Sequence, residues 1–196
     1  MKTNRIQKLH QAVQTNNYAE TKKALSRDNA NSVLNGYSLL HWAAQEGFID
    51  IAKLLIAVGA DLNLKDDCGF SSLHKAVGEN HVDLVRLLID NGAEVDIRDD
   101  TFSTPLFIAC SYGIQLMVDL LINSKATINI FDSHSNSPIV YAVLYGHFEI
   151  VKILINEGAD IPVECVDVDE DELKKLKLSE IAQNHGYNDI YDLLVN

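Results

Sequence analysis

Seven histidines, three cysteines and 28 carboxylates supply the reactive side chains of this 196-residue chain. Three chemistries would use them: metal binding, hydrolysis by a serine–histidine set, and Ca²⁺ binding by clustered acids. Cys68, His74 and His81 come nearest to a local metal cluster, but their spacing matches no standard zinc pattern. His41 and His74 recur at one fixed offset and His81 with His147 at another, so repeat position accounts for four of the seven rings. No metal site is predicted. Hydrolysis needs a nucleophile beside a base with a third orienting group; here Ser and His recur together by position, without a Gly-rich phosphate loop or a nucleophile elbow. No catalytic residue and no cofactor are expected. The acidic run 164–172 lacks the central glycine and alternating order of a Ca²⁺ loop, and reads as a solvated acidic loop able to meet a basic partner.

Composition narrows the classes further. Lys and Arg number 16 against 28 Asp and Glu, a formal charge of −12, which excludes a basic nucleic-acid binder as the default. With 47% hydrophobic and 22% charged residues the chain has enough apolar mass for a folded core. Cys68, Cys110 and Cys165 are odd in number and scattered, which offers no disulfide framework and points to a reducing, cytoplasmic setting. The amino terminus lacks the apolar segment of a secretory signal. The longest apolar stretch, Leu54 to Ala60, is far below the roughly 20 residues that cross a bilayer, so no membrane partner is expected. No Gly/Ser-rich or Pro-rich linker divides the chain, which reads as a single domain over 1–196.

The elements that position these side chains follow from an internal period of 33 residues. Ala43, Ala76, Ala109 and Ala142 stand 33 apart, as do Leu55, Leu88, Leu121 and Leu154, and Ile56, Ile89, Ile122 and Ile155, without an insertion. Each period contains a short small-sided segment such as Leu40–Ala44 and a second segment such as Ile51–Ile56, predicting two helices joined by a Gly turn. The first helix is expected to start at Ser38, Ser71, Thr104 or Ser137, whose hydroxyl can accept an orphan backbone N–H; Pro105 and Pro138 occupy the first helical position in two repeats. The second opens with Asp50, Asp83 or Glu149 and ends at Gly59, Gly92 or Gly158. A β-like stretch, Asp61–Leu64 or Glu94–Ile97, follows.

The units Gly36-Tyr-Ser-Leu-Leu-His41, Gly69-Phe-Ser-Ser-Leu-His74 and Ser103-Thr-Pro-Leu-Phe-Ile-Ala109 resemble the TPLHxA signature of the ankyrin-repeat family, and Gly146-His147 with Gly158-Ala159-Asp160 resembles its later landmarks. That resemblance implies an all-α solenoid of stacked helix-turn-helix units with β-hairpin-like loops. Four full repeats are placed at 33–65, 66–98, 99–131 and 132–164. A capping repeat is expected over 1–32, where Leu9, Ala12, Val13 and Leu25 keep the inward pattern and Glu20 and Lys23 are polar. Residues 165–196 hold an acidic insertion and a closing cap around Ile181, Ala182, Gly186 and Ile190. Polar caps at both ends suggest a complete protein.

Five positions depart from the pattern. Phe102 and Ser135 stand where other repeats have Gly36 and Gly69, predicting loop tips of different backbone conformation. Lys125 replaces a helix-ending glycine, and a left-handed Lys costs about 1 kcal/mol. Phe107 and Val140 replace His41 and His74, which removes a ring that the resemblance makes a loop brace.

The resemblance also implies that loop tips and the exposed side of each first helix form a concave partner-binding surface. It maps to Tyr37, Trp42, Gln45 and Glu46, then Phe70, Lys75 and Glu79, then Asp100, Thr101, Ser103, Ile108 and Tyr112, and finally His134, Asn136, Tyr141 and Tyr145. Large rings with no fixed structural duty suit binding anchors. The expected function is protein binding without catalysis, with the inhibitor or immunity protein of a basic enzyme or toxin as its sharper form. The partner is expected to carry a basic patch, and the free chain to be a monomer. The alternative is a regulatory or targeting module of a larger enzyme or scaffold.

Overall fold

The 33-residue period becomes helix pairs because each period supplies two apolar stripes that cannot be covered within one pair. In the computed structural model, which describes residues 2–162, 164–167 and 174–195, the chain forms two compact units, Met1–Asp100 and Thr101–Asn196.

Within the first unit, helix α1 (Lys2–Gln14) packs on α2 (Tyr18–Ala24) and on α3 (Leu39–Gln45). Helix α3 packs in turn on α4 (Ile49–Ala57) and α5 (Ser72–Gly78), and α6 (Val82–Asp90) closes the set against α4 and α5. A two-residue hairpin, β1 (Val33–Leu34) with β2 (Tyr37–Ser38), precedes α3. Ala43, Ala44, Ala76, Leu55 and Leu88 are fully buried, the alanines permitting close helix approach and the leucines filling the space between layers.

In the second unit, α7 (Pro105–Ser111) packs on α8 (Gln115–Asn123) and α9 (Pro138–Leu144), and α9 on α10 (Phe148–Asn156). The acidic insertion opens as an antiparallel hairpin, β3 (Cys165–Asp167) with β4 (Lys174–Leu176), so its stem is paired strand where a loop was expected; residues 168–172 of the run lie outside the described residues. Helices α11 (Leu178–Asn184) and α12 (Asn188–Val195) then cover α9 and α10. Among the described residues no helix is long and apolar enough to cross a membrane.

Three expectations are corrected. Asp61–Leu64 and Glu94–Ile97 are turns, because their polar backbone groups are met by side chains of neighbouring turns; Asn63 Oδ1 accepts the Glu94 N–H at 2.9 Å. The hydroxyl cap works only where histidine follows. Ser38 Oγ accepts the His41 N–H at 3.2 Å while His41 Nδ1 accepts the Ser38 N–H at 3.1 Å, and Ser71 with His74 repeats this exchange. Thr104 and Ser137 face Phe107 and Val140 instead, and their buried hydroxyls find no partner among the described residues. Finally, Phe102 (φ 63°) and Ser135 (φ 65°) adopt the same left-handed tip as Gly36 (φ 79°) and Gly69 (φ 78°). The turn geometry prevails over the residue's own preference.

Lys125 holds the same strain at φ 71° after α8. Lys125→Gly is therefore expected to stabilise the protein by about 1 kcal/mol, seen as a raised urea midpoint at unchanged m-value.

Candidate protein-binding face

Three of the four repeats place a buried aspartate at the base of the loop: Asp66, Asp99 and Asp132 stand 33 apart and are each at most 9% exposed. Asp66 Oδ1 accepts the N–H groups of Cys68 and Phe70, both at 2.9 Å, which folds the tip that carries Phe70. Its Oδ2 meets Lys75 Nζ at 2.8 Å, and that ammonium also donates to Tyr37 Oη at 3.1 Å while lying 4.9 Å and 4.7 Å from the ring centroids of Tyr37 and Phe70. Burial pushes the Asp66 carboxyl up, yet the Lys75 ammonium and the two N–H groups outweigh it and hold the carboxyl below its usual range. Burial likewise pulls Lys75 down, and Asp66 and Tyr37 together hold it above the usual lysine value.

Tyr37 packs on Trp42 at 5.0 Å between centroids, and the buried Trp42 Nε1 has no partner among the described residues. His41 ties this cluster to the next tip. Its Nε2 faces the Phe70 carbonyl at 2.9 Å, which only an N–H can satisfy, so Nδ1 is the acceptor of the Ser38 N–H and the ring is neutral. Burial pushes its pKa down in the same direction. His81 Nε2 reaches the Gln45 carbonyl at 3.0 Å, and His147 repeats the bond to Ser111 at 2.9 Å. These rings are braces between repeats.

Of the residues expected to meet a partner in the first unit, Glu46 and Glu79 are exposed at the ends of α3 and α5, and Asp100 is exposed at its loop. Tyr37, Trp42, Gln45 and Phe70 are half-buried, and Lys75 is committed to Asp66.

In the second unit the position of Lys75 is taken by Tyr141, whose hydroxyl donates to Asp132 Oδ2 at 2.5 Å; burial first, then that carboxylate, pushes the phenol far up. The ring also meets Phe107 edge-on at 5.6 Å. Asn136 is fully buried and is withdrawn from any direct contact: its carboxamide donates to the Val166 carbonyl and accepts the Val166 N–H, both at 2.8 Å, clamping β3. Ile108 and Ser103 are half-buried; Thr101, which donates to Ser103 Oγ at 3.1 Å, and His134, 3.7 Å from Asp132, are exposed.

Tyr112 and Tyr145 differ from all of these. They end the neighbouring helices α7 and α9 in the same register, and are 67% and 39% exposed. Their column reads Glu46 and Glu79 in the first unit and Tyr112 and Tyr145 in the second. Further apolar side chains that the sequence did not assign to the partner face are exposed, among them Phe102, Leu116 and Phe131. A signal existed for two of them: Leu116 breaks the Asp50, Asp83, Glu149 column, and Phe131 follows Lys65 and Arg98 in its own.

A family model described as ankyrin repeats in three copies matches residues 9–99 and again residues 95–165. No curated protein matches the chain.

Proposed function

The chain belongs to the ankyrin-repeat family, a family of protein-interaction modules, and on that premise we propose that it binds one partner protein through Tyr112 and Tyr145, without catalysis of its own. The observation that supports this is the exposure of two rings in one register on adjacent helices. Exposed Tyr side chains offer large contact area with two rotatable bonds and a polar tip, which suits binding hot spots. Thr101, Ser103 and His134 lie in the loops of the same unit and supply adaptable polar contacts.

The formal charge of −12 favours a partner with a basic patch and an association rate that falls as salt is added. An inhibitor of a basic enzyme is the form of this function that the charge favours. The three free thiols fit a reducing cytoplasm.

The test is a pull-down with the full chain, followed by calorimetry of the captured protein against wild type and Tyr112→Ala/Tyr145→Ala. The double truncation is expected to weaken binding by about 2 kcal/mol, roughly thirtyfold, with at most a small drop in melting temperature, since Tyr112 is 67% exposed while Tyr145, 39% exposed, also lies beside the His147 ring. Equal affinity for the two proteins places the contact elsewhere.

A further inference from the structure

The charge of this acidic chain is unevenly distributed. Residues 1–27 carry Lys2, Arg5, Lys8, Lys22, Lys23 and Arg27 against Glu20 alone, whereas the whole chain is −12. Helices α1 and α2 convert part of that run into a site. Arg5, Lys8 and Ala12 recur at helical spacing on one face of α1, and together with Glu20, Lys23 and Ala24 of α2 they line a cavity of about 270 Å³. Arg5, Lys8 and Lys23 are all exposed, and no ion pair among the described residues engages them, even though Glu20 and Lys23 share a helix. Three cations line the cleft with one carboxylate, Glu20, that forms an ion pair with none of them, and the net positive charge left there is relieved when an anion binds.

We propose that this α1–α2 cleft is a second binding site, which takes an acidic peptide segment of a partner protein. Three features suit an acidic peptide, and the last two favour it over a phosphate. Arg5 offers a planar fork matched to a carboxylate, and Lys8 and Lys23 supply point charges for a second one. Glu20 within the cleft opposes a densely charged phosphate backbone but can accept a peptide N–H. Ala12 and Ala24 give an apolar floor for side-chain stems. The volume lies just below the roughly 300–1,000 Å³ of small-molecule clefts and suits one or two side chains of a longer segment. The strong negative charge on the rest of the chain opposes a long polyanion or an anionic membrane, while a short peptide meets only the local field. This site is independent of Tyr112 and Tyr145, so the protein would carry faces for oppositely charged partners.

The probe is a fluorescein-labelled peptide of alternating Glu and Leu, titrated into the full chain at low salt and read by anisotropy. Saturable binding is expected that weakens as salt is raised, falls at least tenfold in Arg5→Gln/Lys8→Gln/Lys23→Gln, and is unchanged in Lys53→Gln, an exposed lysine outside the cleft. The charge-reversed Arg5→Glu/Lys8→Glu/Lys23→Glu is expected to abolish binding. Because these side chains are exposed, both triple variants are expected to keep the wild-type circular dichroism, and the neutral set tests the site should the reversed set unfold. Absence of binding at low salt, equal binding by the neutral triple variant, or tighter binding of an oligothymidylate or of phosphatidylserine vesicles overturns the proposal.

Discussion

Asp66→Ala is expected to lower the stability of the protein by about 3 kcal/mol, more than the common effect of a point substitution. The carboxylate is almost wholly buried, 3% exposed at the side chain, and its loss leaves three groups without their acceptor: the N–H groups of Cys68 and Phe70 and the Lys75 ammonium, itself only 16% exposed. The ammonium dominates, because an uncompensated cation in a largely buried position cannot recover its hydration without opening the Tyr37 and Phe70 rings that flank it. Lys75→Met removes the other partner and should cost about half as much, since Asp66 keeps its two N–H donors and methionine keeps the stem packed between the rings.

The same pair gives stability a signed dependence on pH. Asp66 is held below its ordinary value of 3.8, so its contribution is complete above that value and disappears as the pH falls through the lowered pKa. Lys75 is held above 10.5, so its contribution is complete below that value and is lost as the pH rises through the raised one. In Asp66→Ala, chemical denaturation across pH should show a flatter acid limb than wild type. A drop below 1 kcal/mol at neutral pH together with an unaltered acid limb would show that solvent already screens the pair.

How far this site was legible in the sequence follows from its parts. The period, the helix pairs and their ends were readable because every repeat buries the same faces, so Ala43 or Leu55 could be assigned from its column alone. A structural use for His81 and His147 was readable for the same reason, though the carbonyls they reach were not. What escaped is what depends on pairs of columns. Lys75, Tyr141 and Asn136 occupy positions that are nominally free, yet Asp66, Asp132 and the β3 strand each draw one of them inward. The 33-residue recurrence of Asp66, Asp99 and Asp132 was the available signal, since buried carboxylates at a fixed position require donors nearby. Phe102 escaped for another reason: its left-handed φ is imposed by a loop whose geometry glycine had seemed to require.

That loop geometry yields the second large effect. Gly69→Ala is expected to cost about 3 kcal/mol, against about 1 kcal/mol for Gly59→Ala. Both glycines are left-handed, at φ 78° and 90°, so both substitutions carry the backbone strain. They differ in space. A Cβ at Gly59 meets nothing within 4 Å, whereas at Gly69 it would lie 2.5 Å from the Asp100 backbone nitrogen and 2.5 Å from its carboxylate oxygen. The carboxylate can rotate aside, but the nitrogen is tied through its N–H to the Cys68 carbonyl at 3.4 Å, so the two tips must separate. Phe102 shows what tolerance requires: one repeat beyond it stands Ser133, smaller than the Asp67 and Asp100 that follow Gly36 and Gly69. Gly69→Ala/Asp100→Ser should therefore recover the part of the loss caused by the carboxylate and leave the part caused by the backbone. Thermal melts of the three variants separate these terms, and equal losses in Gly69→Ala and Gly59→Ala would mean that neighbouring tips slide apart freely.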